Sequence, residues 1–140
     1  MIHVICGMIG AGKSTYAKKH YEHVLEFESF GSKDLQILAA KKLHKHGNTV
    51  AYITCYPNMA ERLFFDSLKA DDVHYILIDT SFQQCAENII KRGRAHDHQT
   101  ITSGFEPNRR YEEQYKNSDI PFERINVFEL NQSNATEERW

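Results

Sequence analysis

The chain has 140 residues, a formal net charge of −2 at pH 7 and a pI near 6.4. That length suits one domain and is expected to leave no room for a separate regulatory domain, so every functional site must be built on the same core. The charge excludes a protein that coats nucleic acid through a strongly basic surface and leaves room for one local basic groove. Cys6, Cys55 and Cys85 are odd in number, far apart, and each within or beside an apolar segment, which reads as reduced core thiols. With no basic leader before the first apolar run and no apolar stretch of membrane-spanning length, the expectation is a cytoplasmic protein without a membrane partner.

In chain order, Ile2 to Cys6 reads as a short buried strand. Gly7-Met8-Ile9-Gly10-Ala11-Gly12-Lys13-Ser14-Thr15 follows, a glycine, four residues and then Gly-Lys-Ser. A helical pattern opens at Lys13, so the glycines stand at a strand-to-helix turn, where backbone N–H groups and the helix N-terminus form a cradle for a polyanion. In that pattern Lys13 reaches the β- and γ-phosphates of a nucleotide and the Ser14 hydroxyl completes a Mg²⁺ shell.

The first helix runs to about residue 22, and Val24 to Glu28 alternates as a second strand. A polar loop, Ser29 to Lys33, precedes a helix starting at Asp34 and stopping at His46-Gly47-Asn48. Thr49 to Thr54 is the third strand, followed by a helix opening at Pro57 with Met59, Leu63, Phe64 and Leu68 as its buried stripe. Val73 to Asp79 is an almost continuous apolar run suited to a central parallel strand. Phe82, Cys85, Ala86, Ile89 and Ile90 then mark a helix that ends near Gly93. Arg94 to Phe105 is expected to be a mobile loop, Glu106 to Asn117 a charged, exposed helix with Tyr111 and Tyr115 on one face, Phe122 to Leu130 a last strand, and 131–140 a polar tail. Strand and helix alternate throughout. The expected fold is therefore α/β, a five-stranded parallel sheet with helices on both faces in one domain over residues 1–130, and the glycine loop after the first strand makes the P-loop NTPase type the expected one. Ligands of such sheets sit beyond the carboxyl ends of the strands, the rim shared by the glycine loop, Glu28, Thr54 and Asp79.

Phosphoryl transfer needs positioning, positive charge around the moving group and a base for the attacking hydroxyl. Arg92 and Arg94 stand where a helix meets the expected loop and could close over phosphates as a lid spanning about 92–105, with a helix-dipole role as the plainer reading. Glu28 is the expected base, with Glu26 behind it, against the alternative of solvated strand charge. Asp79 could serve the metal beside Ser14, or cap the next helix. Arg62 could clamp an acceptor phosphate or pair with an acid. His44/His46 and His96/His98 have a spacing that puts their rings on different helix faces, which argues against a structural zinc site.

With those residues in place, the chain resembles the small P-loop kinases that include the kinase domain of phage-type polynucleotide 5′-hydroxyl kinase, with zeta-toxin and chloramphenicol phosphotransferase groups as relatives. The resemblance runs from Ile2 to about Tyr115 and rests on GMIGAGKSTYAK, on Thr54-x-x-Pro57-Asn58-x-x-Glu61-Arg62, and on Lys91-Arg92-Gly93-Arg94. Deoxynucleoside and nucleoside monophosphate kinases share the look of Tyr75 to Arg94. The resemblance implies an ATP- and Mg²⁺-dependent transfer of the γ-phosphoryl group to a hydroxyl of a nucleoside, a nucleotide or a nucleic-acid 5′ end. ATP would lie on Gly7, Gly10, Ala11, Gly12, Lys13, Ser14 and Thr15, Ser14 and Asp79 would serve the metal, and Lys13, Glu28, Arg92 and Arg94 would carry catalysis. Three positions depart from the family pattern: Glu28 replaces an aspartate, Thr54-Cys55 replaces a Thr-Asn pair, and Asn88 stands where an arginine is common. The alternative is a nucleotide-binding switch that hydrolyses ATP slowly and acts through a protein partner.

Overall fold

A computed structural model describes residues 1–128. The last two residues of the expected final strand and the tail at 131–140 lie outside the described residues. Five parallel strands, β1 (Ile2–Cys6), β2 (His23–Leu25), β3 (Val50–Thr54), β4 (Val73–Ile78) and β5 (Glu123–Ile125), form one sheet in the order β2-β3-β1-β4-β5. Pairing runs in register from Ile2 against Val50 and Val73 to Cys6 against Thr54 and Leu77, so β1 delivers its carboxyl end between β3 and β4.

Alternation along the strands sorts the core onto two faces. Ile2, Val4 and Cys6 pack with Leu25 and Tyr52 under helices α3 (Lys33–Lys45) and α4 (Met59–Asp66), through Ile37, Ala40, Phe64 and Phe65. Ile5, Ala51, Ile53, Ile76 and Ile78 pack the other way with Ala17 of α1 (Lys13–His20) and Cys85 of α5 (Phe82–Arg92). The expected α/β architecture with helices on both faces is the one observed. All three cysteines are free thiols, and burial pushes the Cys85 thiol up to about 12. Among the described residues no helix is long and apolar enough to cross a membrane.

Several elements differ from their sequence reading. β2 stops at Leu25, and Phe27–Phe30 is a four-residue helix, α2, closed by Gly31 at φ 68°; Glu28 therefore sits on a helix and not at a strand end. Ser32, not Asp34, caps α3 by accepting from the Leu35 N–H. The fourth helix starts at Met59, because Asn58 and Glu61 form a reciprocal capping box there. Its buried residues are Glu61, Phe64 and Phe65, whereas Met59 and Leu63 are 80% and 68% exposed.

The expected loop at 94–105 holds a 3-10 turn at Ala95–Asp97 and helix α6 (His98–Thr102). Helix α7 (Glu106–Lys116) is not simply an exposed charged helix: Asn108, Tyr111 and Tyr115 form an inward stripe at i, i+3 and i+7, with Asn108 fully buried. β5 is confined to Glu123–Ile125, and the chain is helical at Val127 and Phe128.

Candidate active site

One cavity of about 1100 Å³ opens at the carboxyl rim of the sheet. Its floor is the glycine loop between β1 and α1, with Gly10, Ala11, Gly12, Lys13, Ser14 and Thr15 all lining it. The loop shape depends on glycine at two points. A Cβ on Gly10, at φ +82°, would lie 2.7 Å from the Cys85 carbonyl oxygen and 2.9 Å from Ile89 Cγ1; Gly12, at φ +98°, would meet the Phe128 ring at 3.2 Å. The loop is thus pressed against α5, leaving its concave side open for a ligand.

Three side chains hold that loop by its backbone. The Asn108 amide accepts from the Ile9 N–H at 2.8 Å and donates to the Ile9 carbonyl at 2.9 Å. Asn88 Nδ2 donates to the Gly10 carbonyl at 2.9 Å, and the Thr80 hydroxyl donates to the Ala11 carbonyl at 2.7 Å. Three successive loop residues are anchored from α7, from α5 and from Thr80 just past the end of β4, so the cradle is held in shape from one side. Asn88 and Asn108 also stand on the two helices that flank the 93–105 segment. In the sequence Asn88 reads as a missing arginine, and Asn108 and Thr80 carry no signal of this role.

Lys13 bends back over the loop. Its ammonium donates to the Gly7 and Met8 carbonyls, each at 2.7 Å, and lies 3.5 Å from Cys55 Sγ. Gly7 itself donates to the Cys55 carbonyl at 3.3 Å, and the Tyr115 hydroxyl donates to the same carbonyl. Burial raises the Tyr111 phenol to about 12, with the neighbouring Cys55 adding to it. Cys55 is thus the point where β3, the glycine loop and α7 meet.

The cavity has two unlike walls. Beyond β2 and β3 stand Glu26, Phe27, Glu28, Lys33, Thr54, Asn58 and Glu61. Glu61 is fully buried, and its carboxylate accepts from the Thr54 hydroxyl (3.1 Å), the Asn58 N–H (2.9 Å) and the Lys33 ammonium (3.2 Å). Lys33 also donates to Thr54 Oγ1 at 3.2 Å and lies over the Phe27 ring. A buried carboxylate is tolerated only when such donors surround it. Glu26 pairs with Lys18 at 3.5 Å, while Glu28 is exposed to the cavity.

The opposite wall, beyond β4, carries Asn88, Arg92, Arg94 and His96. Arg92 forms a two-pronged ion pair with Asp97, Nε to Oδ2 at 2.8 Å and Nη2 to Oδ1 at 2.9 Å, and Asp97 is only 3% exposed. Those hydrogen bonds, against the opposing effect of burial, hold the Asp97 carboxyl below its usual range. The pair ties the 3-10 turn to the end of α5.

Of the residues singled out in the sequence, Lys13, Ser14, Glu28, Arg92 and Arg94 line this one cavity. Asp79 does not. Its carboxylate accepts from Arg124 at 3.0 Å and faces a separate cavity of about 220 Å³, so Ser14 and Asp79 are not brought together. Arg62 is outside the main cavity too, its guanidinium 3.8 Å from Asp119. His44 and His96 lie beside Asp72 and Asp97, and among the described residues no group of three or more His, Cys, Asp or Glu side chains could hold a metal.

The strand order, the loop between the central strand and α1, and the helical segment arching beyond α5 are together the P-loop kinase fold. The chain is similar to deoxyadenosine kinase from M. mycoides with bound dATP, at 20% identity over 97% of this chain and 100% of that one, TM-score 0.55. The same enzyme with dCMP and a flexible dCDP aligns at 17% identity over 97% and 100%, TM-score 0.53. Shikimate kinase from Aquifex aeolicus aligns at 18% identity over 99% and 98%, TM-score 0.50. No protein-family model matches the chain, and no curated protein matches its sequence.

Proposed function

We propose that this protein is an ATP-dependent kinase, assisted by Mg²⁺, that moves the γ-phosphoryl group of ATP to a hydroxyl of a nucleoside, a nucleotide or a nucleic-acid 5′ end. One observation carries the reading: a single cavity joins the phosphate-binding floor to a wall of arginines on one side and a wall of carboxylates on the other. Donor and acceptor can meet in it without a second domain. The structural neighbours support the same chemistry, since they are kinases and one of them binds dATP.

In this reading the loop N–H groups and the α1 N-terminus receive the phosphates. The Lys13 ammonium leaves the Gly7 and Met8 carbonyls for the phosphate oxygens. That exchange is favourable because a full anion replaces two neutral acceptors. Arg94 and Arg92 supply positive charge from the opposite wall as the transferring group becomes more separated from both oxygens. Glu28, exposed to the cavity on α2, takes the proton of the acceptor hydroxyl. The residues fit a divalent ion on the loop side: bound there by the Ser14 hydroxyl and the phosphate oxygens, it would neutralise charge on the transferring group. Asp79 faces the other cavity and is left out of this reading.

The test is incubation with γ-labelled ATP, Mg²⁺ and an acceptor panel of nucleosides, nucleotides and a 5′-hydroxyl oligonucleotide. Label on one acceptor class is expected. Lys13→Ala is expected to abolish ATP binding or transfer, and unchanged turnover in that variant would refute the reading. Label only in free phosphate would favour a nucleotide switch instead.

A further inference from the structure

The proposed kinase reading leaves three kinds of acceptor open, and the charge on the wall that would receive it separates them. Three carboxylates face the cavity from beyond β2 and β3: Glu26, Glu28 and Glu61. The cations there are already engaged. Lys18 pairs with Glu26, and Lys33 is held by Glu61 and Thr54 together. Drawing Lys33 towards an acceptor phosphate would strand the Glu61 carboxylate, which is fully buried, without its counter-charge. The wall therefore keeps one excess negative charge and has among the described residues no uncommitted cation to meet a second phosphate. Arg62, the cation that could have reached an acceptor from α4, points out of the cavity to Asp119. The same wall exposes an aromatic ring, Phe27, at 42%, with the Lys33 ammonium 5.7 Å from its centroid, so a base would stack on the side that Lys33 leaves open. An exposed ring inside a cavity suits a planar base, since base-on-aromatic stacking needs no charge.

Resting on the kinase reading, we propose that the acceptor is an uncharged nucleoside, bound with its base against Phe27 and bearing no phosphate of its own. The committed Lys33–Glu61 pair and the excess carboxylate exclude nucleotides and nucleic-acid ends by repulsion and by the absence of compensating hydrogen bonds, which is how a site rejects a ligand class. In the step itself, the nucleoside hydroxyl oxygen forms a bond to the γ-phosphorus and the bond from that phosphorus to the β,γ-bridging oxygen breaks. ADP leaves with that electron pair, and the hydroxyl proton passes to the Glu28 carboxylate. A nucleoside monophosphate and ADP are the products.

The experiment compares each nucleoside with its own 3′-monophosphate, which keeps the 5′-hydroxyl, and with a 5′-hydroxyl oligonucleotide. Two extra charges within a cavity of this size are expected to lower kcat/KM by about tenfold or more at moderate salt. Two variants probe the cause. Glu61→Gln removes the buried charge that commits Lys33, and Glu26→Lys reverses one charge on the wall without touching the core. Each should narrow the nucleoside-to-monophosphate ratio by raising the relative turnover of the phosphorylated acceptor; because both acceptors are read on the same enzyme, loss of folded protein cancels in the ratio. If Glu61→Gln does not fold, Glu26→Lys decides alone. Equal or better turnover of the monophosphate or oligonucleotide, or a ratio unmoved by the variants, overturns this proposal and leaves the kinase reading standing. Label on a hydroxyl compound that is not a nucleoside overturns it as well. Label on no acceptor, with ATP binding intact, overturns the kinase reading itself.

Discussion

Replacing Asn108 by Ala tests whether the phosphate loop is held in its binding shape from α7. The side chain is fully buried and spends both ends of its amide on one residue, Ile9, 99 positions away in the chain. Truncation removes two hydrogen bonds. Ile9 is only half-buried, so water can reach part of what is left, and each bond is worth about 1 kcal/mol rather than the full desolvation cost. The expected loss is about 2 kcal/mol, a visible share of the 5–15 kcal/mol typical of a domain, and a fall in Tm of roughly 4–8 °C. The loop should also sample shapes that do not cradle phosphate. If binding must first restore the native shape, part of the same energy is subtracted from ATP affinity, about a tenfold rise in the ATP dissociation constant for each 1.4 kcal/mol. Thermal unfolding with and without saturating ATP·Mg gives the first quantity, and nucleotide titration gives the second. Asn108→Asp keeps an acceptor for the Ile9 N–H but sets a carboxylate against the Ile9 carbonyl, so it should be no better than Ala. A variant that loses stability yet binds ATP as tightly as the parent would refute the coupling and reduce Asn108 to a core residue.

Asp97→Asn should lower Tm near neutral pH, and the gap from the parent should close on acidification. A carboxyl held below its usual value near 3.8 contributes stability that is complete above that value and disappears as pH falls through the depressed one, and Arg92 is the cause here. Unfolding midpoints from pH 7 to 3 would show it, and a gap that stays constant into acid would contradict the pairing. Gly10→Ala places a methyl 2.7 Å from a backbone carbonyl at φ +82°, and is expected to cost about 1–3 kcal/mol in denaturant unfolding and to weaken nucleotide binding. An unchanged midpoint would mean that the loop does not press on α5 as described.

The architecture was legible where apolar residues repeat over long stretches. β4 and α5 carry unbroken or strictly periodic apolar patterns, and their boundaries match the expectation to within a residue or two. Short elements failed for a physical reason. Val24, Leu25 and Phe27 alternate like a strand, but three residues of β2 and one turn of α2 fit the same letters, and Gly31 decides for the turn by closing it at positive φ. On α4 two helical stripes compete. Periodicity chooses Met59, Leu63, Phe64 and Leu68; Phe64 is buried and Leu68 packs partly buried against the core, but Met59 and Leu63 face outward and Glu61 and Phe65 take their places. A charge at the centre of the winning stripe is invisible to a rule that sorts residues by hydrophobicity, because its burial depends on partners 7 and 28 positions away, Thr54 and Lys33. The capping box Asn58-x-x-Glu61 was the readable clue, since it placed the helix start and hence the inward face.

The candidate site divides along the same line. Groups that would act on a ligand directly, Lys13, Ser14, Arg92 and Arg94, stand in motifs that phosphate chemistry makes recognisable, and they share one cavity. Asp79 stands at a strand end that looks equally apt, but strand position sets only the rim and not the direction of the side chain, and Arg124 on the neighbouring strand draws the carboxylate away. The residues that were missed act on backbone. Asn88, Asn108 and Thr80 bind the carbonyl or N–H of Ile9, Gly10 and Ala11, groups that every residue possesses, so no residue type in the loop advertises them. Asn88 shows what this changes. Read against a family pattern it is an arginine lost from catalysis; its amide instead anchors the loop, a task that an arginine, with donors only, could share at the Gly10 carbonyl but not while reaching into the cavity. In the proposed kinase, positive charge for phosphoryl transfer would then fall to Lys13, Arg92 and Arg94, and Arg92 is already committed to Asp97. Arg94, which lines the same cavity without that tie, would in that reading be the arginine that responds first to a bound nucleotide.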